Sequence, residues 1–331
     1  MFDLAFVWAA LIAFAVLAYV LFDGFDLGIG ILFPLLATDE ERDEAMNSVA
    51  PVWDGNETWL VLGGGGLMAA FPLAYAVVLP ALYAPITVML LGLIFRGVAF
   101  EFRFRSSKRL WDWAFATGST LAAFAQGIAL GALVQGIAVS GRAYAGGWWD
   151  WLTWFSLLTG VALVVGYALL GATWLVWKTS GSLQHKAYGF AWVTGLGTLA
   201  LIGVVSLIMP FLDPLFRQRW FSWPNIVYAA PVPMLVGLAA LWLLAGLGRR
   251  RERAPFFAAV SLFVLSYVGL GISFYPYILP PSLTIWDAAA PPASLKFLLV
   301  GAAVLIPLIL SYTAWSYWIF RGKVRAGAGY H

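Results

Sequence analysis

Apolar runs of membrane-crossing length, separated by short polar or aromatic stretches, fill most of the chain. A hydrocarbon layer of about 30 Å takes about 20 residues of helix. Runs of that size, bounded by charge, proline or clusters of Trp and Tyr, lie near 6–36, 56–79, 82–102, 113–139, 154–177, 188–209, 226–247, 255–276 and 295–320. The pattern therefore predicts nine membrane helices in one integral domain covering 1–331. No segment between them has the composition of a soluble domain. The two longest connections, "PFLDPLFRQRWFSWPN" at 210–225 and "PYILPPSLTIWDAAAPPASL" at 276–295, read as irregular because of their prolines and small residues. "TDEERDE" at 38–44 reads as an acidic loop.

Composition agrees with the pattern. The chain is 62% hydrophobic and 11% charged, against about 25% charged in a soluble domain, which makes it an all-α polytopic membrane protein. The first segment, which begins "MFDLAFVWAA", lacks a basic leader and is too long for a signal core, so it is expected to stay as a helix. An odd number of spans puts the termini on opposite faces. Of the 19 Lys and Arg, only Arg142, Arg217, Arg219 and Lys296 fall on one face; the other 15, from Arg42 through Arg96 and Arg103 to Arg325, fall on the opposite one. The positive-inside rule then places the N-terminus outside and the C-terminus in the cytoplasm of a multi-pass bacterial inner-membrane protein. The same distribution accounts for the pI near 9.1 without nucleic acid.

Glycine and histidine narrow the chemistry. "GGGG" at 63–66 and the pairs Gly24/Gly28 and Gly127/Gly131 have the spacing of close helix packing in lipid, and neither the strand nor the Lys-Ser/Thr of a phosphate loop accompanies them. With no Cys, disulfides, thiolate metal sites and iron–sulfur clusters are excluded. The two histidines, His185 in a loop and His331 at the last position, lie outside the spans. A haem at membrane depth needs axial ligands such as His, Met or Cys, so no haem ligand and no metal ligand is expected here. Any redox cofactor then belongs to another polypeptide.

Ionisable groups in apolar segments cost a few kcal/mol each and call for a partner or a purpose. Asp23 and Asp26, in "DGFDLGIG", are three apart and share a helix face. They are either acids tied to backbone or to an Arg, or a site. Asp54 and Glu57, in "WDGNETW", have the spacing of a capping box opening the second span, which does not exclude a second role in proton handling. Trp53 and Trp59 read as interface or packing aromatics. Arg96 and Glu101, in "FRGVAFEFRFR", end the third span on the cytoplasmic side, where Arg96 is the expected charge partner of the carboxylates, Asp54 and Glu101 in particular. A proton-coupled secondary transporter would also bury acids in apolar helices, but such folds carry inverted repeats, and no repeat is evident.

The stretches "DGFDLGIG", "PVWDGNETWLVLGGGGLMAAFPLAYA", "LGLIFRGVAFEFRFR" and "YPYILPPSLTIWDAAA" resemble subunit II of the cytochrome bd-type quinol oxidases over essentially the whole chain, with motif variants closer to the cyanide-insensitive branch. The resemblance implies nine transmembrane helices in two four-helix bundles plus one peripheral helix. It implies a heterodimer in which a haem-bearing subunit I holds two b-type haems, haem d and the quinol site, and it admits a small single-helix accessory subunit and a structural quinone among the membrane lipids. Quinol would be oxidised and oxygen reduced to water with protons drawn from the cytoplasm. Asp54, Glu101 and Arg105 match the family's cytoplasmic proton path; Asp23 and Asp26 match acids near proton uptake; Trp59 matches the entrance of a proposed oxygen channel. Some relatives have Gln at the position of Glu57, Asp at that of Glu101 and Lys at that of Arg105. Arg gives up its proton less readily than Lys, which weighs against a relay role for Arg105.

Overall fold

The computed structural model describes residues 3–324; His331 and Arg325 lie outside the described residues. Asp3 opens helix α1 (Leu4–Leu32), its carboxylate accepting from the Phe6 amide at 3.1 Å. Pro34 then tightens the chain into a single 3-10 turn, Phe33–Leu35. The acidic stretch is not a loop but helix α2 (Asp39–Asn47), because Thr38 caps it and Glu41 reaches back to the Ala37 amide.

The second expected span is two helices, α3 (Trp53–Ala70) and α4 (Pro72–Ala81). Phe71 between them sits at φ −132°, ψ 62°, since a residue before proline is pushed out of the helical region. Helices α5 (Tyr83–Phe102), α6 (Lys108–Gln135) and α7 (Trp154–Lys178) come next, with a two-strand hairpin, β1 (Val139–Ser140) and β2 (Ala143–Tyr144), before α7. Helix α8 (Gly181–Leu212) runs longer than expected and takes up His185 near its start. The 210–225 connection contains helix α9 (Pro214–Phe221), capped by Asp213. Beyond it lie α10 (Asn225–Ala229), α11 (Pro231–Gly248) and α12 (Ala254–Phe274). The 276–295 connection holds strands β3 (Tyr277–Leu279) and β4 (Leu283–Thr284) and the single turn α13 (Ile285–Ala288) before α14 (Pro292–Ile319).

Among the described residues eight helices are long and apolar enough to cross a membrane. Helix α3, with its polar first turn, is not one of them, and α4 is too short. The all-helical, polytopic architecture is as expected.

Helix α1 packs on α3, α6 and α7; α5 packs on α6; α7 packs on α8 and α12; and α11 packs on α12. The tightest of these contacts are glycine-made, as the spacing predicted. A Cβ at Gly92 of α5 would lie 2.6 Å from the Gly118 carbonyl of α6, and one at Gly118 would lie 2.6 Å from the Gly92 carbonyl. Gly28 of α1 abuts Gly171 of α7, and Gly127 of α6 abuts Gly160 of α7, in the same way. Backbones therefore touch along α5–α6–α7–α1, where dispersion between close surfaces replaces the hydrophobic driving force that lipid does not provide. The run at 63–66 behaves differently. Gly63 and Gly66 face Val16 and Ile12 of α1, while Gly64 and Gly65 face open space.

Candidate functional site

One polar cluster joins α1, α3 and α5. Asp23 and Asp26 are both fully buried on the face of α1 that their spacing defines. Arg96, fully buried on α5, donates to Asp23 and, at 2.8 Å, to Glu57 of α3. The Asn56 side-chain amide donates to Asp26 at 2.8 Å and to the Phe22 carbonyl at 3.3 Å, and the Tyr317 hydroxyl of α14 donates to the Asn56 carbonyl oxygen at 2.8 Å. One oxygen of each aspartate, Asp23 Oδ2 and Asp26 Oδ1, is buried with no hydrogen-bond partner.

One helical turn before Asp23, Tyr19 accepts from Gln126 of α6 at 2.7 Å, and Gln126 accepts from Tyr167 of α7 at 2.9 Å. A polar thread therefore links helices α1, α6 and α7. Sequence reasoning did not single out Asn56, Tyr19, Gln126, Tyr167 or Tyr317. The available signal was an uncharged hydrogen-bonding side chain inside a segment such as "LAAFAQGIAL", which has the same need of a partner as an acid.

Other expectations need correction. Arg96 pairs with Asp23 and Glu57, not with Asp54 and Glu101. Asp54 does not cap α3: the N-cap is Val52, no side chain caps it, and Asp54 points outward from the first turn. Glu101 and Arg105 are also exposed, at 64% and 71% of their side chains, and lie 4.0 Å apart on the surface of the α5 end. Trp59, the expected channel-entrance residue, does not reach the surface of the described chain. It is fully buried, edge-on to Phe14 and beside Phe22, and its indole N–H has no partner. Trp53 stacks on Phe100 at 4.8 Å and lies beneath the Arg96 guanidinium. Glu57 connects the two sets. Its side chain is 30% exposed, between outward-facing Asp54 and buried Asp23.

A second charged group lies at the same end of the helices, in the connections. Arg103, fully buried, donates to Asp43 of α2 and Asp112 of α6, and Lys108 binds Asp43 at 2.9 Å. Arg42 lies 3.5 Å from Asp112 and 3.2 Å from Asp39, and Lys186 of α8 binds Glu41 at 2.7 Å. Burial works to raise the Asp43 carboxyl, but hydrogen bonds from Arg103 and Lys108 prevail and hold it below the usual range. Glu41 is held low by hydrogen bonds from Lys186 and Ser182. His185 is exposed and sits 3.2 Å from Arg250. Among the described residues no group of His, Cys, Asp and Glu is arranged to hold a metal ion.

Known proteins resemble this chain from end to end. Subunit 2 of the cytochrome bd-I ubiquinol oxidase of Escherichia coli K12 is 32% identical over 364 residues, covering 97% of this chain and 95% of that protein. The cytochrome bd ubiquinol oxidase subunit 2 of Bacillus subtilis is 29% identical over 335 residues, covering 96% of each. The bd oxidase of Geobacillus thermodenitrificans shares the fold, with a TM-score of 0.76 at 19% identity over 97% of this chain and 100% of the matched one. Residues 4–320 match the family described as cytochrome bd terminal oxidase subunit II. The chain belongs to that family.

Proposed function

We propose that this chain is the subunit of a quinol-oxidising terminal oxidase that carries protons, but no haem, to a haem-bearing subunit I in the inner membrane. Each turnover oxidises two quinols and reduces one oxygen to two waters, and it consumes four protons at the oxygen site. The haems would supply the electron transfer and oxygen chemistry from the partner, and this chain's share is the protons.

One observation carries the reading: three carboxylates, Asp23, Asp26 and Glu57, are gathered with a single guanidinium, Arg96 binding Asp23 and Glu57 while Asp26 accepts from the neutral Asn56 amide. Two uncompensated negative charges inside a bilayer are costly, and exchangeable protons relieve that cost. A group that gains and loses protons there is a relay. Exposure falls from Asp54 through Glu57 to Asp23 and Asp26, which orders the uptake. Asp54 and Glu101 collect protons at the face rich in Lys and Arg, Arg105 biases the local charge, Glu57 passes protons inward, and Asn56 with Tyr317 continues the hydrogen-bonded line. In this reading the C-terminus is cytoplasmic and the N-terminus outside. Helices α3 and α4 together make the ninth crossing, so α1, α3/α4, α5 and α6 form one four-helix bundle, α7, α8, α11 and α12 the other, and α14 is peripheral. An oxygen route past Trp59 would need side-chain movement, since Trp59 is sealed by Phe14 and Phe22.

The experiment is Asp26→Asn in the purified oxidase. Full haem content with quinol oxidase turnover reduced about tenfold or more supports the relay, on the scale by which positioned proton donors matter. Full haem content with normal turnover leaves Asp26 structural and overturns the path.

A further inference from the structure

Positive charge is scarce on the face holding the α8–α9 connection: of the 19 Lys and Arg, four lie there, and two of those, Arg217 and Arg219, are on the eight-residue helix α9. Helix α9 is anchored from beneath. Phe216 is buried against the α6, α7 and α12 ends, and the Trp220 indole donates to Ser273 of α12 at 2.8 Å. Among the described residues neither guanidinium has a hydrogen bond or an ion pair, and Arg219 Nε is buried without a partner. The nearest acid in sequence, Asp213, accepts from the Leu215 amide at 2.7 Å as a cap.

Two cavities flank the helix. One, of about 370 Å³, is lined by Arg219, Gln218, Asn225, Tyr228, Leu215 and Ile272. The other, of about 690 Å³, is mostly apolar, lined by Leu207, Pro210, Phe211, Phe221 and Arg217, and meets the first at Gln218. Phe211, Trp223 and Tyr228 stand exposed around them, as aromatics do at a lipid headgroup layer. A cationic cleft with amide and phenol donors beside an apolar groove is complementary to a phosphate ester joined to acyl chains.

We propose that α9 forms a binding site for one anionic phospholipid, its phosphate held in the Arg219 cleft with Gln218 and Asn225, its acyl chain in the groove of Leu207 and Phe211, and Arg217 adding charge at the rim. The site is separate from the proton cluster and does not depend on that reading.

The test uses the whole oxidase in nanodiscs of one part phosphatidylglycerol to four of phosphatidylcholine, transferred to lipid-free detergent and weighed by native mass spectrometry. The intact complex should keep one more phosphatidylglycerol than the Arg217→Gln/Arg219→Gln complex, and Arg217→Lys/Arg219→Lys should keep it too, with equal haem in all three. Equal counts in the intact and Gln complexes overturn the proposal, as does equal retention of phosphatidylcholine. Release of the lipid by millimolar inorganic phosphate would mark a free-anion site and also overturn it. Should the Gln variant fail to assemble, photoactivatable phosphatidylglycerol on the intact complex decides: label on the 215–228 peptides is expected, and its absence there refutes the site.

Discussion

Two charged groups lie within a few helical turns of each other, and they are built on opposite principles. In the α2 and α6 connections four cations, Arg42, Arg103, Lys108 and Lys186, face four acids, Asp39, Glu41, Asp43 and Asp112, in a shared network. Inside the α1–α3–α5 group three acids gather with one cation: Arg96 binds Asp23 and Glu57, and Asp26 accepts from the neutral Asn56 amide. Balanced charges hold a structure, since each of these carboxylates has a cation within 3.5 Å. An imbalance at membrane depth stores a reason to bind protons. The comparison therefore separates a clamp from a candidate relay without reference to any relative.

The largest effect expected from breaking the interior group comes from Arg96→Met. Asp23 and Glu57 would be left without their guanidinium, and removing one partner of a buried pair costs about 3–5 kcal/mol. The yield of haem-loaded oxidase from membranes should collapse. Adding Asp23→Asn should restore part of it, because the bare charge goes too. Assembly as in the parent for Arg96→Met alone would mean water already solvates the cluster.

The clamp should fail more gently. Arg103→Lys loses the fork that reaches Asp43 and Asp112 together, for about 1–3 kcal/mol. The thermal midpoint of the complex should fall while turnover per haem holds. A fall in turnover at unchanged midpoint would put the clamp on the proton route and erase the distinction between the two groups.

A smaller effect appears with pH. Glu41 has its folded value pulled below the usual carboxylate range by Lys186 and Ser182. Its contribution is therefore present above the unfolded value and is lost as pH falls through the folded one. Glu41→Gln should lower the midpoint at neutral pH, and the gap from the parent should close on acidification below the normal glutamate range. A gap that widens in acid would contradict that sign.

How much of this was legible in the chain depends on sequence distance. The α1 acids on one face and the glycine contacts at Gly24, Gly28, Gly127 and Gly131 arise from local spacing, and the structure carries them. The pairing of Arg96 with Asp23 joins residues 73 apart; nothing local distinguishes it from pairing with Asp54. Local reading also erred at two acidic stretches, taking 38–44 as a loop and Asp54 with Glu57 as a capping box. "TDEE" and "DGNE" both have a capping residue three before a Glu, yet only Thr38 caps, because its backbone is extended, at φ −119° and ψ 160°, whereas Asp54 is already inside α3. The break at Phe71 was readable from Pro72, but the apolar run through it hid the two helices.

The smallest structural effect, and the sharpest functional one, belongs to the exposed acids. Asp54 and Glu101 face outward, and Glu101 lies 4.0 Å from exposed Arg105. Such a surface pair is worth about 0–1 kcal/mol. Asp54→Asn and Glu101→Gln should therefore leave assembly, haem content and thermal midpoint as they are, within about 0.5 kcal/mol. In the proposed role of collectors they would add protons at the mouth of the path rather than conduct along it, so their loss should slow turnover a few-fold at neutral pH. Acid supplies from bulk what the collectors no longer gather, so the deficit should shrink as pH falls. On the proposed path Asp26→Asn should not be rescued that way, because an amide there has no carboxyl proton to exchange. Parallel pH profiles of the three variants in fully haem-loaded oxidase decide the matter: a deficit in Asp54→Asn that stays constant down the pH scale places it inside the path with Asp26, and no deficit at any pH removes it and Glu101 from proton delivery.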